Sequence, residues 1–469
     1  MEEKQLRVVI YPWLAMGHII PFMHLANILA ERGHKVTVML PNKAKQKLLL
    51  DESSSLNNLH PSLSNLTLHT ITIPAVHPLP PGTETVYDIP CHLETHLATA
   101  LDLIRPEFES IISKLQPNII FYDFAYWIPE AVAACRSNAK CVSYSTTSAA
   151  CSSLIMIPFR EPPKHLDRDV NDEDSCVADI PPGYPMSTPL IMDKEVKNIL
   201  YMPYGEGVTF HQRLTNSFKG CDAIIVKTYG EIEGKYCEYL STQYNNKPVL
   251  PFLLLPNPKK EKLEPRWGDW LSQFDPGTVV FCAFGSQAVL NVAQFQEILL
   301  GFEMTRLPFL VAFKPPTGCA TVEEAFPEGF KERVGERGVV TGEWVQQQEI
   351  LGHPSVGCFV SHCGWGSIWE SLMSKNKLVL IPQQFEQAIN SKILAQELKL
   401  AVEVQRGEDG SWVSKESLCT SLISVMDQDS EISSLVNKNH QNLRNKLLDP
   451  GFMDAETDRF INYLQALVA

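Results

Sequence analysis

No stretch of the 469-residue chain reaches the roughly 20 consecutive apolar residues that a membrane-spanning helix needs, so no membrane insertion is expected. A basic excess is lacking too: 40 Lys and Arg stand against 54 Asp and Glu, a net charge of −14. That balance sets nucleic acid and anionic lipid aside as partners. Among the 12 cysteines there is no CxxC pair, so neither a zinc site nor a disulfide framework is indicated. The opening MEEKQLRVVIYPWLAMGH puts two glutamates before any basic residue and interrupts its apolar run with Pro12, which makes a poor signal peptide. A cytoplasmic, reducing location follows, and the sequon Asn65-Leu66-Thr67 is then chance. Two phosphate-loop signatures are missing as well: no Gly-Lys-Ser/Thr, and no GxGxxG with an acidic residue about 20 positions on. Their absence disfavours a Walker-type NTPase and a dinucleotide oxidoreductase.

What is present is a strand–loop–helix pattern played twice. LRVVIYPW (6–13), KVTVMLP (35–41), LTLHTITIP (66–74) and NIIFYD (118–123) read as strands, with a helix over 19–33 that ends at Gly33. TVVFCAFGSQ (278–287) restarts the pattern, and FLVAFK (309–314), GVVTGEW (338–344), VGCFVS (356–361) and KLVLIPQ (377–383) continue it. Strands alternating with helices imply parallel sheets covered on both faces. The chain exceeds the 250–300 residues at which single cores stop growing. The expected fold class is therefore α/β: two doubly wound domains facing each other across a cleft. The boundaries are 1–250 and 271–450, with a Pro- and Lys-rich linker at 251–270 and a C-terminal helix, 451–469, that belongs to either domain. The chain is expected to be a monomer.

Ligands in such sheets lie outside the carboxyl ends of the strands, where His18, Asp123, Ser286, Trp344 and His362 are expected. The loop His362-Cys363-Gly364-Trp365-Gly366-Ser367 sits between an apolar strand and a helix. It admits two readings. In one, close-approaching glycine backbone and helix-end amides bind phosphate; in the other, it is an ordinary turn whose histidine caps local carbonyls.

The surrounding stretch decides between them. From Trp344, through Gln347, His353-Pro354, the loop and Glu370, to Glu386-Gln387, the sequence resembles the plant secondary product glycosyltransferase box. That box identifies plant family-1 UDP-sugar glycosyltransferases. The likeness runs over the whole chain, and PWLAMGHIIPFMHLANILAERGH, EIEGKYCEYL and GEWVQQ resemble the subgroup that extends the sugar of flavonoid or terpenoid glycosides. The resemblance implies the GT-B fold, two Rossmann-like domains with the acceptor held by the first and the UDP-sugar by the second. It implies that Trp344, Val345 and Gln347 hold uracil, that Ser286, His362, Gly364, Gly366 and Ser367 hold the diphosphate, and that Glu370 holds the ribose. Trp365, Glu386, Gln387 and Thr146 would border the donor sugar. Two positions depart from the family: Glu386 stands where Asp is usual and Gly366 where Asn is common, which leaves the sugar open among UDP-glucose, UDP-xylose and UDP-rhamnose. The UDP-sugar is a co-substrate, and no cofactor or metal is implied.

The implied chemistry is one displacement with inversion, in which an acceptor hydroxyl attacks the anomeric carbon and UDP leaves. Hydroxyls need a base, and histidine titrates near the working pH. His18 is the expected base and Asp123 its partner. The acceptor, a small-molecule glycoside, is expected against Gly17, Phe22 and Trp127, under segments 75–100 and 140–205. Three alternatives remain: transfer to an aglycone hydroxyl, a UDP-sugar epimerase, and a non-catalytic UDP-sugar-binding protein.

Overall fold

The computed structural model describes residues 5–50, 64–161, 180–186, 199–254, 262–285, 288–407 and 412–469. It divides into two compact units, Met1–Lys259 with Met453–Ala469, and Lys260–Phe452. Ser286 lies outside the described residues.

The first unit is a seven-stranded sheet of β1 (Arg7–Tyr11), β2 (Lys35–Pro41), β3 (Leu66–Ile71), β4 (Ile119–Tyr122), β5 (Lys140–Ser145), β6 (Ala223–Val226) and β7 (Val249–Pro251). Every pairing is parallel, in the order β3-β2-β1-β4-β5-β6-β7. The central strands are apolar nearly throughout because helices cover both faces; in β1, for instance, Val8, Val9, Ile10 and Tyr11 are all buried. The C-terminal helix Phe452–Leu467 belongs to this core: Phe460, Ile461 and Leu464 join it, and the Phe460 ring stacks on Phe252 at 3.8 Å. Arg32 pairs with Asp454 and Asp458 of the same helix.

The second unit has six parallel strands: β8 (Val279–Ala283), β9 (Phe309–Ala312), β10 (Gly338–Thr341), β11 (Val356–Ser361), β12 (Lys377–Leu380) and β13 (Val402–Glu403). Their order is β10-β9-β8-β11-β12-β13, and Phe295, Ile298 and Phe302 of the helix Val292–Thr305 pack with Val280, Val311 and Val360 of the sheet.

Each strand read from the sequence is found. β5, β6, β7 and β13 went unread: two are only two or three residues long, β6 has four, and β5 (KCVSYS) hides two serines among its buried positions. One helix boundary shifts with consequences. The first helix runs Met16–Glu31, three residues earlier than the apolar spacing indicated, so His18 lies in its first turn and not in a connecting loop. Gly17 hides that start: it reads as part of a turn, yet His18 N and Ile19 N already donate to Ala15 O, each at 2.9 Å.

Candidate functional site

In the first sheet the order of strands reverses between β1 and β4, the position where doubly wound sheets open a crevice. Tyr11 pairs with Tyr122 at the ends of these strands, so the residues that follow them meet. Asp123 is 8% exposed. Its Oδ1 accepts the amides of Trp13 (2.7 Å) and Phe124 (2.6 Å), and its Oδ2 lies 2.7 Å from His18 Nδ1. An ionised carboxylate can only accept, so this bond puts the ring proton on Nδ1 and leaves the Nε2 lone pair to take another. The pair can therefore act as a base with its tautomer fixed. Thr146, just past β5, sits beside this pair: its Oγ1 is 3.4 Å from the same Nδ1.

The acceptor residues need correcting. Phe22 is 0% exposed, turned into the core of the first unit with its ring edge-on to Tyr144. Trp127 is 3% exposed, wedged against Tyr11 and Phe108 with Nε1 donating to Asp102 at 3.0 Å. Neither ring can form a wall, because each is already packed on all sides by the apolar core. Gly17 is exposed, and a Cβ on it would meet nothing within 4 Å. The aromatic group that does touch the base was not read from the sequence. Phe124 lies edge-on to the His18 ring at 5.3 Å, and Trp13 stacks on Phe124 at 5.0 Å, with Tyr204 and Phe210 beyond. Glu94 accepts the Tyr204 hydroxyl at 3.0 Å, and burial raises its carboxyl against that bond and the charge of His18. Phe124 directly follows Asp123, a residue the sequence had singled out, which was the available signal.

In the second sheet the reversal falls between β8 and β11. Ala283 pairs with Ser361, which brings Gly285 and His362 together. The imidazole lies between two glycines: a Cβ on Gly364 would come within 2.4 Å of its Nε2, and one on Gly285 within 2.9 Å. Gly285 also has φ +67°, a backbone that favours glycine. Gly366 is open, with nothing within 4 Å of a Cβ. The helix Trp365–Met373 starts here with no acidic residue in its first turn and no side-chain cap. Its first ladder bond is Ile368 N to Gly364 O, so the amides of the turn before stand at a positive helix end suited to an anion.

Around this loop Gln347 Nε2 donates both to Ser367 Oγ (3.1 Å) and to Glu370 Oε2 (2.5 Å), and Gln348 Nε2 donates to Glu370 Oε1 (3.1 Å). Gln348 was missed. Each Glu370 oxygen retains a lone pair for a diol. Trp344 is 65% exposed while its neighbour Val345 is buried, so the tryptophan presents its ring and the valine anchors the loop. Past β12, Glu386 is raised by burial. Gln387 serves locally: its Oε1 caps the helix Phe385–Lys392 by accepting from Gln383 N (2.9 Å) and Gln384 N (3.1 Å). Among the described residues, no three His, Cys, Asp or Glu side chains are grouped to hold a metal, and no helix is long and apolar enough to cross a membrane.

Burial pushes the His362 ring down to about 4 from its ordinary 6.5, against the backbone at Ala283. The unfolded chain then binds more protons between these values. The ring's contribution to stability is full above about pH 6.5 and is lost as the pH falls toward 4. His24, lowered to about 3, acts in the same direction. His362→Asn is expected to shrink the fall in melting temperature between pH 7 and pH 5, measured by calorimetry; an equal fall in both proteins would contradict the burial effect.

Comparison with known proteins gives the family model described as "UDP-glucoronosyl and UDP-glucosyl transferase" on residues 328–441. UDP-glucosyl transferase 79T1 of Saponaria officinalis is 50% identical, with all of both chains covered. Anthocyanidin 3-O-glucoside 2'''-O-xylosyltransferase of Arabidopsis thaliana is 46% identical over all of this chain and 98% of its own. In fold, the chain matches the crystal structure of UGT73P12 from Glycyrrhiza uralensis, complexed with glycyrrhetinic acid 3-O-monoglucuronide. That match has 20% identity and a TM-score of 0.77, over 99% of this chain and 96% of that one.

Proposed function

The chain belongs to the plant family-1 UDP-glycosyltransferases, GT-B enzymes that transfer sugar from UDP-sugars to small plant metabolites, and on that premise we propose that it extends a sugar already present on its acceptor. The acceptor is a flavonoid, most concretely an anthocyanin, or a terpenoid glycoside. The Arabidopsis relative, whose name puts xylose on an anthocyanidin glucoside, supports that class. The observation that carries the reaction is the His18–Asp123 pair at the reversal of the first sheet. His18 Nε2 takes the proton of the acceptor hydroxyl as its oxygen attacks the anomeric carbon. The bond from that carbon to the phosphate oxygen breaks, its electron pair leaves with UDP, and the configuration inverts. His362, Ser367 and the helix-end amides take up the charge gathering on the diphosphate, as fixed dipoles do best where they need no reorganisation. Glu370 holds the ribose, and no step calls for a metal.

Turnover measured for UDP-glucose, UDP-xylose, UDP-rhamnose and UDP-galactose against glycosylated and unglycosylated flavonoids and terpenoids tests this. UDP release and an added sugar of anomeric configuration opposite to that in the donor are expected on a glycoside. Turnover confined to aglycones would overturn the acceptor class; UDP-sugar conversion without acceptor would point to an epimerase, and no release at all to a binding protein.

Trp344 is assigned to the uracil face. Trp344→Ala is expected to weaken UDP binding about 10- to 100-fold, the ordinary worth of an aromatic–base stack, with Trp344→Phe between the two; unchanged calorimetric affinity would remove the residue from the site. Glu386 carries its carboxylate about one methylene further than the usual Asp. Glu386→Asp is expected to change the ratio of kcat/KM among UDP-glucose, UDP-xylose and UDP-rhamnose, and an identical ratio would show the exchange to be silent.

A further inference from the structure

We propose that Asn390 is a positioning residue that holds the phosphate loop in its left-handed turn and ties it to the helix presenting Glu386 and Gln387. The proposal rests on the loop being the diphosphate site. The left-handed residue of His362-Cys363-Gly364 is not the glycine: Gly364 has φ −60°, whereas Cys363 has φ +68°. A residue with a Cβ holds that backbone only at a cost. Cys363 is completely buried, and both its backbone polar groups are held by side chains. Its N–H donates to Ser361 Oγ at 3.1 Å, and its carbonyl accepts from Asn390 Nδ2 at 3.0 Å. Asn390 is itself 0% exposed, and its Oδ1 has no partner among the described residues. The bond to Cys363 is thus what orients the amide.

Asn390 follows Gln387 by three residues and Glu386 by four on the helix Phe385–Lys392, a spacing that stacks them along one side. A loop carbonyl fixed to this helix sets two things together: the direction in which the amides after Gly364 point, and the distance from them to Glu386. Without the amide, the buried carbonyl would lose its donor and Cys363 would lose the contact that offsets its strained backbone. The loop would then relax toward an ordinary turn, and phosphate and sugar recognition would be lost together.

The test is calorimetric binding of UDP and of UDP-glucose to the full-length protein, in four forms: wild type, N390L, C363G, and the double variant. N390L is expected to bind UDP about tenfold more weakly, the order of the left-handed penalty. Glycine takes that backbone freely, so the loss caused by N390L, measured relative to C363G, is expected to shrink in the double variant. N390A, which has no donor for the carbonyl, is expected to behave as N390L and serves if N390L does not fold. Wild-type affinity in both Asn390 variants, or a loss undiminished in the C363G background, would overturn the proposal. A wild-type protein that binds no UDP would instead overturn the reading of the loop.

Discussion

Replacement of His18 by alanine is expected to lower kcat about 10²- to 10⁴-fold, the usual worth of a general base, while UDP binds as tightly as before. The two effects separate because the base and the nucleotide loop belong to different units of the chain. The fold should tolerate the change. His18 N donates to Ala15 O in the first helical turn, a bond that alanine keeps, and alanine is the best helix former. The ring is 22% exposed and contributes one edge contact to Phe124, so little core is lost. Initial rates with UDP-sugar and glycoside, beside calorimetric UDP affinity, give the comparison. Turnover close to wild type would remove His18 from the reaction and leave proton transfer to another group, such as Glu94, whose carboxyl is raised by burial.

The alternation of strands and helices was legible because buried parallel strands write themselves as apolar runs: β2 and β11 have the boundaries read from the sequence. The polar positions at the strand ends were legible for a related reason, since polar residues directly after such runs stand out. Asp123 after IIFY and His362 after VGCFVS are examples. What stayed hidden was set by contacts between distant segments. Phe22 and Trp127 are aromatic neighbours of site residues in sequence, but the helix turn and the core direct both rings inward. Tyr204 and Phe210, from the segment before β6, pack on Phe124, and nothing in their spacing announces it. Likewise Cys363, flanked by a glycine, takes the left-handed backbone that composition would give to its neighbour. Sequence spacing reports which face of an element a residue occupies; it does not report which long-range partner fills the space above that face.

Asp123→Asn is the sharper experiment on the catalytic pair. The exchange keeps size and shape, so the question is which way the amide turns. The buried N–H groups of Trp13 and Phe124 both point at Oδ1, and an unpaired buried donor costs about 1–3 kcal/mol. The asparagine oxygen is therefore held there, and its Nδ2 is left facing His18 Nδ1. An NH₂ group donates, so Nδ1 must accept, and the ring proton moves to Nε2, the atom that has to receive the acceptor's proton. The imidazole stays in place but in the wrong tautomer. Inversion of this kind costs about 10⁴ in the serine protease triad, and here the loss is bounded by that of His18→Ala. The double variant should be no slower than the worse single one, because the two residues act as a unit. Melting temperature should hold in Asp123→Asn and fall in Asp123→Ala, which strands both amides. An Asp123→Asn enzyme with wild-type kcat would show that the carboxylate neither fixes the tautomer nor supports the imidazolium, whatever its 2.7 Å bond to His18.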